Sequence, residues 1–524
     1  MSSTLLWAPL AFGLVGLFLP NRIVGWWAAL GTVVTLGIAI AIALGFDSGS
    51  AALQYAVDEP WISGLGVDYS LGIDGLNLFL LLLTAVLWTG GVVFAAFREQ
   101  RNPKTFYFLM LVAETATLGA FLAQDLLLFV LFFDLMLVPF YFLFGAWGHD
   151  RSGEGGLTAP AATLKMLVYT LIGSLLMLVA AIAAAVLAAE GGQITFSIAA
   201  LTEHGLSHGS QQWIFWFFAA AFLVKMPAFL LHGWMPDAYR AAPLPVLVVF
   251  SGVLAKVGAY GFLRVVLPLF PDATVEFQEV ILLISLASIL YGSVMAFTQT
   301  NVRLIAGYSS VAQLGFITAG IFALRADGSD GAVLQMVNHG LVVAPVFIIV
   351  AILVERTGTE DIREMGGMAL RAPVLAALFL IVALATLAMP GSANFVGEFY
   401  ILNGLFQAKI VFAFVAISGV AMSAYYALRL YQGTMHNRKP DGLLSREIGV
   451  RDALVLVPLV LCILALALYP QLILKRTAPT VEQTVSRVTG GEAPSARLAS
   501  QVSKMSKDEK AEVENGSLEL TYQP

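Results

Sequence analysis

Residues 215–239 read FWFFAAAFLVKMPAFLLHGWMPDAY. Apolar residues lead without a break into Lys225, and Pro227 follows two positions later. Proline removes a backbone donor and clashes with the carbonyl four residues back. Within a membrane, such a break persists only where the freed backbone faces protein or a polar cavity. An ammonium group at that depth costs about 2.5–3.5 kcal/mol on insertion scales. A lysine on a broken apolar helix therefore points to a membrane protein with a functional interior.

The rest of the chain agrees. It has 524 residues, 59% hydrophobic and 12% charged, and its mean hydropathy is +0.85. Soluble domains carry about 25% charged residues, so a water-facing surface, and with it a nucleic-acid binder, is excluded. The one cysteine, Cys462, forms no internal disulfide and holds no iron–sulfur cluster or zinc alone. No GxGxxG after a strand, P-loop, HExxH, CxxC or haem-attachment motif occurs, so no cofactor is expected in this chain. A helical span needs roughly 20 apolar residues. Counted that way, the chain holds about fourteen spans, at residues 5–20, 24–45, 75–97, 105–123, 126–147, 162–189, 212–238, 243–269, 277–298, 303–324, 331–354, 373–406, 410–432 and 452–470. The fold class expected is an all-α polytopic membrane protein.

The connections sort by charge. Those after odd-numbered spans carry Arg22, then Arg98, Arg101 and Lys104, then Arg151, Arg240, Arg303, the trio Arg356, Arg363 and Arg371, and finally Arg438, Lys439, Arg446 and Arg451. Those after even-numbered spans are mainly acidic, as at Asp58, Glu59, Glu203 and Asp330. Basic loops stay in the cytoplasm, which puts both termini on the outer side. The loop 46–74 is long enough for a hairpin on that face. Residues 471–524 are polar and read as a mobile tail, with a short helix near 501–514 and a sequon at Asn515.

Six ionisable residues lie deep in separate spans: Glu114, Asp134, Lys225, Lys256, His339 and Glu398. One alone is readily a satisfied polar contact, and Lys165, Asp125 and Arg264, nearer span ends, are read that way. Six together fit a proton relay. A second break, Met389-Pro390-Gly391, precedes Glu398, with Asn394 between them. Pro227 and Pro390 are 163 residues and five spans apart, the spacing of two inverted five-helix repeats with one broken helix each.

These stretches carry a resemblance. LFFDLMLVPFYFL (131–143), KMPAFLLHGWMPDAY (225–239), SGVLAKVGAYGFLR (251–264), RLIAGYSSVAQLGF (303–316) and MPGSANFVGEFYIL (389–402) resemble the antiporter-like, proton-translocating membrane subunits of respiratory complex I, NADH:quinone oxidoreductase. Among the three related types, an acid such as Glu398 in the second broken helix marks the M type. The resemblance implies a fourteen-helix core divided into residues 1–104, a first repeat at 105–269, a second at 277–432 and a final helix within 433–470. It implies that Asp134 pairs with Lys225, that Lys256 is the central relay, that His339 connects onward and that Glu398 is the exit site. Glu114 matches a recurring acid of the fourth helix. His232, Trp234 and Asp237 match the HGWxPDA motif as positioning residues. Flavin, iron–sulfur clusters and quinone belong to partner subunits, with the sister subunits L and N and the lipid bilayer as neighbours and a bacterial plasma membrane as location. The chain departs from the family at Asp134, usually glutamate, at Gln313, usually histidine, and at Asn301-Val302-Arg303, usually Asp-Ile-Lys. A relay passing Gln313 is expected to use water held by Gln313, Ser309 or Ser310. Two rival readings are a subunit of a multisubunit Na+/H+ antiporter and a non-transporting structural subunit.

Overall fold

Apolar runs can lie in hydrocarbon only if each backbone group is satisfied within its own helix. The computed structural model, which describes residues 1–149, 156–437 and 446–490, obeys this almost throughout. Its helices are α1 (Ser2–Gly16), α2 (Asn21–Leu44), α3 (Leu78–Ala96), α4 (Pro103–Leu122), α5 (Leu126–Leu135), α6 (Leu137–Trp147), α7 (Ala159–Ala188), α8 (Ile198–His204), α9 (His208–Lys225) and α10 (Met235–Ala241). Next come α11 (Leu244–Val249), α12 (Ala255–Gly261), α13 (Leu267–Leu269), α14 (Pro271–Glu276), α15 (Gln278–Thr298), α16 (Val302–Phe322) and α17 (Ala326–Thr357). The last five are α18 (Pro373–Thr386), α19 (Ala393–Ala408), α20 (Ile410–Met435), α21 (Val450–Leu468) and α22 (Gln471–Thr489). Among the described residues, 11 helical stretches are long and apolar enough to cross a membrane, counting α5–α6 and α11–α13 as one each. The protein is a multi-pass helical membrane protein. Helices α16 and α17 and the α11–α13 stretch are almost wholly buried, whereas α2, α7, α20 and α21 turn apolar surface outward.

One departure from an all-α chain is an antiparallel hairpin, β1 (Gln54–Ile62) against β2 (Val67–Ile73), in the loop where a hairpin was expected. It is pinned from below. Asp125 caps α5, accepting from the Leu128 N–H at 2.9 Å, and also accepts from the Asp68 N–H of β2 at 3.2 Å. Asp74, just past β2, is bonded by Arg264 at 2.6 Å, and Arg264 donates in turn to Tyr260 at 2.8 Å.

The helix breaks have identifiable causes. Pro139 cannot coexist with an undisturbed Leu135 carbonyl, and α5 gives way to α6 at Met136. Pro227 ends α9 at Lys225. Its missing donor is replaced locally: Ala228 N–H bonds the Leu223 carbonyl at 2.9 Å, and the Trp234 indole bonds the Val224 carbonyl at 3.0 Å. Pro390 and Gly391 separate α18 from α19, with Ala388 (φ 53°) and Gly391 (φ 92°) in left-handed conformation. Two π-helical turns, Phe250–Leu254 and Phe262–Val266, flank α12. Such turns widen a helix and recur at functional sites.

The segment read as a mobile tail is corrected in its first third. Helix α22 is amphipathic and packs on α13, α14 and α17, burying Ile473, Thr477, Val481 and Val485, while the Thr480 hydroxyl accepts from the Gly75 N–H at 3.3 Å. Composition marked these residues as polar, but a polar average hides a one-sided apolar stripe. The helix expected near 501–514, the sequon, and the basic residues Arg151, Arg438 and Lys439 lie outside the described residues.

Two outcomes follow from this packing. Val481→Asp places an unpaired charge at a fully buried position and should cost about 3–5 kcal/mol, releasing α22. Trypsin cleavage near Lys475 in membranes should then accelerate, while the exposed-site control Gln471→Asp should leave the cleavage rate unchanged. Trp234→Phe leaves the buried Val224 carbonyl without its donor and should cost about 1–3 kcal/mol, read as a lower Tm of the purified protein.

Candidate functional site

The break after α5 carries the first charged pair. Asp134 is half-buried one residue before the end of α5, with Ser174 of α7 beside its carboxylate. Lys225 is buried at the last residue of α9. Its ammonium donates to the Phe133 carbonyl at 3.4 Å and sits 4.4 Å from the centre of the Phe133 ring. The expected direct pairing is corrected: the two charges act on one another through space, with Phe133 holding the ammonium. The aspartate side chain is one methylene shorter than the usual glutamate. A cavity of about 20 Å³, room for one water, lies against Lys225, Thr170, Leu254 and Ala255. It reaches from Lys225 to the residue before Lys256.

Lys256, fully buried, is satisfied by the first π turn: its ammonium donates to the Ser251 carbonyl at 3.0 Å. His339 of α17 is buried close enough to feel the Lys256 charge, and its Nδ1 has no partner. What brings the two helices together is an absence of side chains. A Cβ on Gly340 would stand 2.7 Å from the Gly252 carbonyl oxygen, so any larger residue separates the lysine from the histidine.

Glu398 of α19 ends a chain of amides. Gln335 of α17 donates to the Gln313 side-chain oxygen at 2.8 Å, and Gln313 donates to Glu398 Oε1 at 2.8 Å. Gln313 bonds the carboxylate directly. Ser309 and Ser310 both turn back onto the Ala306 carbonyl and hold no part of the chain. Close contact of α19 with α17 at Gly404 and Gly328 makes this reach possible. Around the amides lie buried polar atoms with no protein partner: Glu398 Oε2, Tyr426 OH, Asn338 Oδ1, His339 Nδ1 and both side-chain polar atoms of Asn394. Buried polar groups left without a protein partner are ordinarily satisfied by water.

Not every expected residue joins the line. Both carboxylate oxygens of Glu114 are fully buried without a partner, and no bond links them to the other five. Asp237 forms an ion pair with Lys165 at 2.7 Å, closing α10 onto α7. His232 stacks among Phe229, Tyr291 and Tyr308. Gln335, Asn338 and Tyr426 were missed. QMVNHG does place three polar side chains within five positions of an apolar span, a signal that was available. Tyr426 gave none, because tyrosine is ordinary in a helix facing lipid or protein.

The comparisons with known proteins agree with this geometry. The family described as NADH:quinone oxidoreductase/Mrp antiporter, TM, matches residues 123–423, a stretch holding both broken helices and five of the six buried charges. NADH-quinone oxidoreductase subunit M of Rhodobacter capsulatus is 36% identical over 475 residues, 89% of this chain and 91% of that protein. The Escherichia coli K12 protein of the same name is 36% identical over 463 residues, 86% and 90% respectively. Among solved structures, a chain of respiratory complex I from Thermus thermophilus superposes with a TM-score of 0.85 at 29% identity, covering 93% of this chain and all of that one. A chain of the Mrp complex from Dietzia superposes at 0.78 with 20% identity, a likeness of fold alone. The chain belongs to the NADH:quinone oxidoreductase/Mrp antiporter membrane-subunit family, and within it to the relatives of subunit M.

Proposed function

We propose that this chain is the M-type proton-translocating membrane subunit of an NADH:quinone oxidoreductase. The observation that carries the reading is a succession of ionisable residues in the interior, Asp134, Lys225, Lys256, His339 and Glu398, with a one-water cavity beside Lys225 and Ala255 and the Gln335–Gln313–Glu398 amide chain at the far end. In this reading the chain crosses the membrane fourteen times, the helix–break–helix pairs α9–α10 and α18–α19 each filling one span of two inverted repeats. It holds no redox centre. Flavin and iron–sulfur clusters reside in partner subunits, quinone is reduced there, and the sister subunits L and N are its neighbours in a bacterial plasma membrane, both termini outside.

The mechanism is electrostatic gating. While the Asp134 carboxylate is ionised nearby, the Lys225 ammonium is compensated and keeps its proton. Coupling that moves Asp134 away leaves a buried charge with only a carbonyl and an aromatic face, and the proton passes on through water toward Lys256. His339 and the wet polar atoms beside it carry it to Glu398. Gln313 cannot take up a proton near neutral pH. Its role is to fix Oε1 of Glu398 by a donated bond and leave Oε2 for loading and release. The mixed character of the line, with an acid in place of a second-half lysine, favours the subunit M reading over a Na+/H+ antiporter subunit.

Lys225→Ala, Lys256→Ala and Glu398→Ala should each depress NADH-driven proton pumping and quinone reduction together, because a blocked pump brakes coupled electron flow. Normal assembly and normal pumping in all three would make this a structural subunit. Sodium-dependent transport in proteoliposomes lacking NADH and quinone would favour the antiporter reading.

Asp134→Asn keeps volume and hydrogen bonding but removes the charge that acts on Lys225. It should assemble yet lose most coupled activity, whereas Asp134→Glu should retain substantial pumping, with overpacking beside Ser174 as its main cost. NADH-driven acidification measured beside quinone reduction, at equal complex content, separates the two. Asparagine performing as well as aspartate would remove Asp134 from the gate.

A further inference from the structure

A crevice of about 560 Å³ opens where the ends of α3 and α17 meet the start of α21. Its polar wall is crowded with charge, and the acids in it are already committed. Glu355 and Asp452 are both held by Arg98, at 2.6 and 3.0 Å. Glu447 accepts the backbone N–H groups of Val374, Leu375 and Ile448 at 2.8–3.1 Å, capping the start of α18. Partial burial pushes the Glu447 carboxyl up, but those three bonds and the Arg356 charge outweigh it and hold the group below its ordinary value. It therefore stays ionised and occupied at neutral pH.

Three of the four arginines lining it are not committed in the same way. Arg356 donates to the backbone carbonyls of Arg446 and Glu447 and feels the Asp452, Glu447 and Glu355 carboxylates through space, but it bonds none of them directly. Among the described residues Arg356, Arg446 and Arg451 form no ion pair, and the last two are exposed. Three guanidinium groups thus border one cavity beside the basic-loop ends of the spans. Guanidinium offers paired donors that match phosphate oxygens.

The other wall is apolar: Phe97, Ile352 and Val450 line it. From Val450 an exposed stripe runs along α21 through Leu454, Leu461 and Leu468, each more than half exposed. The spacings of four, seven and seven residues keep the stripe on one helix face. Over 18 residues it extends about 27 Å, comparable to the hydrocarbon thickness. A phosphate-sized basic cavity continuous with a hydrocarbon-length apolar track matches one ligand chemistry.

We infer that this crevice is a binding site for an anionic phospholipid, its phosphate held by Arg356, Arg446 and Arg451 and its acyl chains lying along α21. Basic pockets between membrane helices recognise such head groups on the basic-loop side. The inference rests on the membrane orientation given above and not on the proton path. Its failure leaves the pumping assignment standing, and the alanine variants of the axis leave this site standing.

The test uses the intact, delipidated membrane complex and its Arg446→Gln/Arg451→Gln variant, a pair that anchors no other side chain. Phosphatidylglycerol and phosphatidylcholine with identical acyl chains are titrated separately, and lipid bound to the complex is counted by native mass spectrometry. Phosphatidylglycerol should bind the wild type and bind the variant tenfold or more weakly, roughly the loss of two basic contacts at a membrane surface. Phosphatidylcholine should not saturate the site, and inorganic phosphate at millimolar concentration should not displace the lipid. Equal binding to both proteins, equal binding of both lipids, or displacement by phosphate alone overturns the inference. So does protection of Arg446 and Arg451 from phenylglyoxal in the lipid-free complex, which would mean that a neighbouring subunit covers the crevice.

Discussion

A polar atom in a hydrocarbon slab must find a partner inside the protein, and the architecture follows from how that demand is met. In most of the chain the helix meets it alone. At Pro227 and Pro390 it cannot, and the structure supplies substitutes: an indole on the Val224 carbonyl, and the Ser423 hydroxyl donating to the Leu387 carbonyl at 3.4 Å. Helices α16 and α17, almost wholly buried, form the centre against which the other spans pack. Lys225 sits at the first of these breaks, and Glu398 lies in the helix that follows the second.

The same demand distinguishes structural from functional polarity. Arg264 with Asp74, and Arg303 with Glu360 at 2.8 Å, are short, direct ion pairs. They fasten one element to another by direct charge pairing. Lys225, Lys256, His339 and Glu398 are held more loosely, by a carbonyl, an aromatic face or an amide, with polar atoms left over. A group that must exchange a proton cannot be locked into a strong pair, since the pair would fix its charge. Loose partnering is costly for stability, and its concentration at these residues supports the proposed path.

Much of this was legible in the sequence. Proline two residues after a buried lysine, and proline-glycine ahead of a buried glutamate, announced both breaks and the charges beside them. The hairpin at 54–73 was legible because a long loop rich in turn residues must pair its own backbone. Less legible was whether two charges on different spans touch. Asp134 and Lys225 were expected to pair; they act on one another through space, while the Lys225 ammonium bonds the Phe133 carbonyl and lies over its ring. Gln313 looked like a gap in the path, and the fold makes it the direct partner of Glu398.

Sequence alone determined the membrane environment, the identity of the buried charges and the places where helices break, because hydropathy, charge and proline act within a few residues of themselves. Only the tertiary structure decided which charges meet, which amides bridge them, and that residues 471–489 dock as a helix and do not trail as a tail. Those outcomes depend on crossings such as Gly252 on Gly340 and Gly328 on Gly404. There the missing side chains on two distant segments set a separation of a few ångströms, and nothing within either segment reveals the other.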